Sequence, residues 1–137
     1  MKFLLSLLLL ATVLAGCSST DTLRNPSADY SKIKRVYVER RLADDHGLDG
    51  LIVAQLRTQG LEASSGPLTM MPEHVDAIVT YSDDWAWDFK SYLNQLSIEI
   101  RNARTDEVIG RGVSRHASPV TKAPEKMVRE ILVKLFK

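Results

Sequence analysis

Three observations in this 137-residue chain predict an α+β domain, two helices packed on a mostly antiparallel sheet of about five strands. Residues 84–101 alternate polar and apolar side chains as strands do. Residues 48–59 and 124–136 instead place apolar side chains at helical spacing. The order strand, helix, strand, meander, helix puts both helices against one sheet, with the first strand–helix–strand unit as a right-handed crossover.

Each element has a local reason. Residues 33–38 (IKRVYV) are rich in β-branched and aromatic side chains and predict the first strand. In the first helix Leu48, Leu51, Ile52 and Leu56 share a face, with Asp44, Asp45 or Asp49 available as its cap. Gly60 stops it as a C′ glycine, with Leu61 as the hydrophobic contact. Residues 61–64 predict a short strand, and Ser65, Gly66 and Pro67 a turn. Residues 75–81 are apolar nearly throughout, as a buried central strand requires. Then Trp85, Trp87 and Phe89 share one face of an extended segment, opposite Asp84, Ala86 and Asp88.

Residues 92–101 continue with Leu96, Ile98 and Ile100 on one side. Residues 102–107 predict a polar turn and 108–116 a returning strand, where Gly110 and Gly112 point to a bulge or a close backbone approach. Pro124 fits the first turn of the last helix. Its stripe is Met127, Val128, Ile131, Leu132, Leu135 and Phe136, with Glu125–Arg129 and Glu130–Lys134 as i, i+4 pairs.

The N-terminus is of another kind. Met1 and Lys2 precede twelve mostly apolar residues, 3–14, the last of which opens Leu14-Ala15-Gly16-Cys17. A spanning helix needs about 20 apolar residues, so this stretch is short for one. It resembles the signal peptide and lipobox of bacterial lipoproteins. That resemblance implies cleavage before Cys17, diacylglycerol on its thiol and acylation of its new amine with a chain such as palmitate. Two or more acyl chains anchor a protein stably. Ser18, in place of Asp, implies the outer membrane by analogy with lipoprotein sorting, with the inner membrane as the alternative.

The implied organisation is a signal peptide over 1–16, a lipidated Cys17 with a polar tether over 17–31, and one periplasmic domain over 32–137. Fourteen flexible residues would reach about 20 Å. Cys17 is the only cysteine, so the domain contains no disulfide. Cleavage removes Lys2 from 18 basic side chains and leaves the 17 acidic ones untouched. The balance argues against bulk attraction to nucleic acid.

Residues 75–81 (VDAIVTY), after a strand and a helix ending in Gly60, resemble the small envelope domains of the TolB N-terminal and curli-secretion lipoprotein type. Trp85-Ala86-Trp87-Asp88, Tyr92-Leu93 and Leu96-Ser97-Ile98 resemble uncharacterised bacterial lipoproteins, although the turn at 102–106 departs from their Asp-Ala-x-Thr-Gly. The resemblance implies an envelope role and carries no catalytic residue.

Candidate chemistry is sparse. Asp83, Asp84 and Asp88 flank the tryptophans, as in sites that bind sugars or cations, and paired carboxylates can perform acid–base work. Along a strand Asp84 and Asp88 stand roughly 13 Å apart, beyond the about 5–9.5 Å of glycosidase pairs. Asp83 and Asp84 point to opposite faces, so solvated carboxylates are the plainer expectation. The Trp85, Trp87 and Phe89 stripe is either core, an exposed platform for glycans or a partner, or a mixture with one ring buried. His46, His74 and His116 lack metal-site spacing, and no nucleotide-binding or G-x-S-x-G motif is present. Lys32, Lys34, Arg35, Arg40 and Arg41 form a basic cluster, either a solvated face or a contact to anionic headgroups.

The expectation is a non-enzymatic envelope lipoprotein, a binding or scaffold module without a cofactor other than the lipid on Cys17. Its partners are the membrane and an envelope protein or peptidoglycan, not nucleic acid. The alternative is a glycan or small-ligand binder using Trp85, Trp87 and Asp88. A hydrolase on Asp83, Asp84 and Asp88 is more remote.

Overall fold

The computed structural model describes residues 18–116 and 122–137. Cys17 and the signal segment lie outside the described residues. Six strands and two helices follow in the order β1 (Ser18–Arg24), β2 (Arg35–Glu39), α1 (Leu48–Thr58), β3 (Glu62–Gly66), β4 (Ala77–Trp87), β5 (Ser91–Asn102), β6 (Val108–His116) and α2 (Pro124–Leu135). They form one sheet ordered β1-β6-β5-β4-β2-β3. Pairing is antiparallel from β1 through β4 and parallel for β4 with β2 and β2 with β3. The α+β class is as expected, with six strands rather than about five.

The extra strand corrects the tether. Ser18–Arg24 pairs with β6 from Ser18 opposite His116 to Arg24 opposite Gly110. An edge strand needs a backbone partner more than a core face, and this one turns Thr20 and Thr22 toward α2 and sends Arg24 to the Lys137 carbonyl just beyond it. The Thr20 hydroxyl donates to Glu130 (3.2 Å), and Lys134 Nζ donates to the Thr20 carbonyl (2.8 Å). Glu130 also takes Lys122 Nζ at 2.9 Å. Both members of the expected Glu130–Lys134 pair thus bond to β1. Beyond β1, the Tyr30 ring meets Phe136 edge-on at 5.4 Å, and its hydroxyl donates to the Ile109 carbonyl. Residues 18–31 are therefore largely built into the domain.

Both helices cover one face of the sheet. Leu48, Ile52 and Leu56 of α1 and Met127, Ile131 and Leu132 of α2 are fully buried against Val38, Val79, Ile98 and Ile100. Gly60 has φ 87°, the left-handed conformation that favours glycine. The Leu61 N–H donates to the Leu56 carbonyl and the Gly60 N–H to Arg57, which is a Schellman stop. Gly110 and Gly112 mark a close approach: a Cβ at Gly112 would run into Ile131 Cγ2, and one at Gly110 into the Tyr30 hydroxyl.

The segments 75–81 and 84–89 both contribute to a single strand, β4 (Ala77–Trp87), paired with β5 through an irregularity. Asp84 faces Gln95, but Trp85 faces Leu93, so Asn94 is an extra residue on β5. The extra residue brings Leu93 and Leu96, three apart, to the same buried face. Phe89 leaves the strand at φ 60° and lies at the hairpin tip instead of sharing a face with the tryptophans.

His116 ends β6 with 2% of its surface exposed, and among the described residues neither ring nitrogen has a hydrogen-bond partner. Burial pushes its pKa below 6.5, the Lys122 charge adds to this, and Glu130 opposes it. The folded protein therefore holds this imidazole neutral, whereas the unfolded chain protonates it near pH 6.5. Stability should fall as pH drops from 6.5 toward the lowered folded value. Urea midpoints at pH 7.5 and 5.5 check this: wild type loses more on acidification than His116→Leu.

Candidate functional site

The carboxyl ends of β2, β3 and β4, the loop after β2 and the β4–β5 hairpin meet at one end of the sheet. In sheets with parallel strands, this is where ligand-facing loops gather. The loop must turn from β2 into α1, and Asp44 organises it. Its carboxylate accepts the Tyr81 hydroxyl (2.6 Å) and the backbone N–H groups of His46 (2.9 Å) and Asp49 (3.4 Å). Gly47 occupies the N-cap position of α1 at φ 68° and has no side chain to offer. Asp44, one of the three caps expected, reaches the first turn from outside. Desolvation pushes the Asp44 carboxyl up. The hydrogen bonds from Tyr81, His46, Asp49 and Leu48 outweigh it and hold the group below the usual carboxylate range. Tyr81 is driven the other way, by burial first and then by its bond to Asp44.

A second chain of contacts joins this loop to β4. The Arg41 guanidinium pairs with the Asp83 carboxylate, whose other oxygen accepts Trp85 Nε1–H at 2.7 Å. The His46 ring stacks on Trp85, 3.7 Å between centroids and 15° from parallel. On the α1 side Asp49 accepts the Ser65 hydroxyl at 2.9 Å, with Arg40 Nε 3.9 Å away.

The predicted site residues separate here. Trp85 is half-buried, with one face under His46, whereas Trp87 is 76% exposed. The mixed arrangement, one ring covered and one open, is the one found. Asp83 faces inward and is paired, and Asp84 lies exposed, accepting from Asn94 Nδ2 at 3.0 Å. Asp88 is exposed beside the tip, where its N–H donates to the Lys90 carbonyl. Among the described residues, no group of three or more His, Cys, Asp or Glu side chains is placed to hold a metal ion.

The basic cluster disperses: Arg41 goes to Asp83 and Arg35 to Glu62 at 3.0 Å. Asp44, Tyr81, Arg41 and His46 were not marked as one site by the sequence. Their partners are 37 and 42 positions apart, and only the parallel β2–β4 pairing brings them together.

Two other concavities are open to solvent. The opposite end of the sheet carries a cleft of about 950 Å³ that includes Asp29, Lys32, His74 and Arg104. There Asp76 accepts the backbone N–H groups of Lys34 and Arg35, a bond pattern that fastens the start of β2. The sheet face away from the helices carries a shallower one of about 450 Å³, with Glu99, Arg111 and Arg115. Glu99 is paired there with both Arg101 and Arg111.

No family model and no curated protein matches the chain. Among solved structures, it is similar to the PelC dodecamer from Paraburkholderia phytofirmans in two crystal forms. One is a variant, with TM-score 0.65 and 11% identity over 85% of this chain and 98% of that chain. The other has TM-score 0.59 and 10% identity over 86% and 94%. At such identity the shared property is the fold, and the two folds coincide over nearly the whole PelC chain.

Proposed function

We propose that the protein is a lipid-anchored envelope module that binds or scaffolds and does not catalyse, held in the outer membrane through Cys17. The observation that carries this is the pairing of Ser18 with His116 in the sheet. A lipobox cysteine one residue before a paired strand residue leaves no long tether, so the anchor would hold the domain close to the bilayer. Among the described residues, no helix is long and apolar enough to cross a membrane. The inward carboxylates of the candidate site, Asp44 and Asp83, are bonded to Tyr81 and Arg41, which supports a structural use over acid–base work. The PelC structures similar in fold are dodecamers, which supports the scaffold half of the proposal. The glycan-binding alternative is weakened because His46 and Asp83 occupy Trp85, leaving Trp87 as the open ring.

Radiolabelled palmitate fed to cells producing the full chain tests the anchor. Wild type takes label and fractionates with outer membranes. Cys17→Ala takes none and remains soluble or uncleaved. Label persisting in the variant, or missing from wild type, ends the proposal.

A further inference from the structure

We infer that the β4–β5 hairpin tip, Trp87 with Phe89 and Lys90, seats in the interfacial layer of the same bilayer that holds Cys17; this rests on the lipid-anchor proposal. The strand register carries it. Ser18 lies opposite His116, the next residue back on β6 (Arg115) lies opposite Gln95, and Gln95 lies opposite Asp84. The first residue after Cys17 is therefore level with the top of β4, near Trp85. Cys17 is one Cα step of about 3.8 Å from it. The hairpin runs on past this level by about three residues, or roughly 10 Å at strand rise. The tip thus reaches as far along the sheet as the anchor, or farther, on the same end of the domain. Interfacial segments bury to a depth of about 5–10 Å.

The chemistry of the tip matches a bilayer interface. Trp87 is 76% exposed and Phe89 95% exposed. Phe89 holds φ 60°, an outlier for a bulky residue, and gains no packing within the domain in return. Leu42, in the loop at this same end, is fully exposed. Tryptophan favours the headgroup level, and a lysine beside it can reach lipid phosphates while its stem stays apolar. Asp84, at the base of the tip, Asp88, in the turn itself, and Asp45, in the loop with Leu42, are exposed opposing charges that must stay among headgroups and water. A bilayer is the occupant to which Cys17 itself would bring this end.

Purified lipidated protein carrying Trp85→Phe, in phosphatidylethanolamine–phosphatidylglycerol vesicles, leaves Trp87 as the reporter. Lipids brominated at shallow acyl positions should quench its emission at least twofold, and aqueous iodide should quench it several-fold less than in the urea-unfolded protein. Palmitate-labelled protein whose Trp87 is open to iodide and untouched by bromolipid overturns the insertion and leaves the anchor standing. Absence of palmitate overturns both. If Trp85→Phe does not fold, Phe89→Trp compared with wild type gives the same answer, since the added emission must be quenched by bromolipid.

Discussion

Gly112→Val should destabilise the domain by about 3 kcal/mol, at the upper end of overpacking effects. The hydrogen at this Cα faces Ile131 on α2, with Thr22 Cγ2 of β1 3.3 Å from where a Cβ would stand. Ile131 is itself fully buried and β-branched, so it cannot swing aside into solvent. Either α2 lifts from β6 or β1 shifts outward, and each response opens packing elsewhere in the core. Urea unfolding measures the loss. Gly50→Ala is the control: Gly50 lies within α1, a Cβ there meets nothing within 4 Å, and alanine should stabilise by about 0.5–1 kcal/mol. Equal effects from the two substitutions would show that the contact with α2 does not require glycine at 112, whose φ is not positive.

That close approach was legible in the sequence because two glycines alternating along a strand leave one face bare. The Gly60 stop, the apolar stripes of both helices and the meander were legible for the same kind of reason: each is written in neighbouring residues. β1 was not. Thr20 and Thr22 are only partly buried and Leu23 is exposed, so no apolar period separates Ser18–Arg24 from a tether, and its pairing depends on β6, about ninety positions away. The bulge at Asn94 was hidden too, because a strict period of two places Leu93 outside, and only the shifted register returns it to the core. For the candidate site, aromatic alternation located Trp85 and Trp87 but could not divide their roles. His46 does that, from a loop whose position follows from the order of β2 and β4 in the sheet.

Asp44→Ala should cost about 3 kcal/mol, comparable to the glycine substitution but by a different route. Asp44 and Tyr81 are both buried, and the Tyr81 proton has this carboxylate as its acceptor at 2.6 Å. Hydrogen bonds to a charged group contribute about 1.5–3 kcal/mol, and removing one partner leaves the other desolvated and unpaired. The variant also strips the acceptor from the Asp49 N–H at the start of α1, where Gly47 supplies no cap. Tyr81→Phe in combination closes the cycle: with both partners gone the second loss should be much smaller than the first, since no orphaned hydroxyl remains. The pH dependence carries a definite sign. The folded carboxyl titrates below its ordinary value of 3.8, so its contribution is complete above the unfolded value and is lost as pH falls through the folded one. Wild type and Asp44→Asn should therefore differ most in urea midpoint at neutral pH and converge as pH falls past 3.8 and through the lowered folded value. A difference that stays constant into acid would show that Asp44 acts through shape alone and not through its charge.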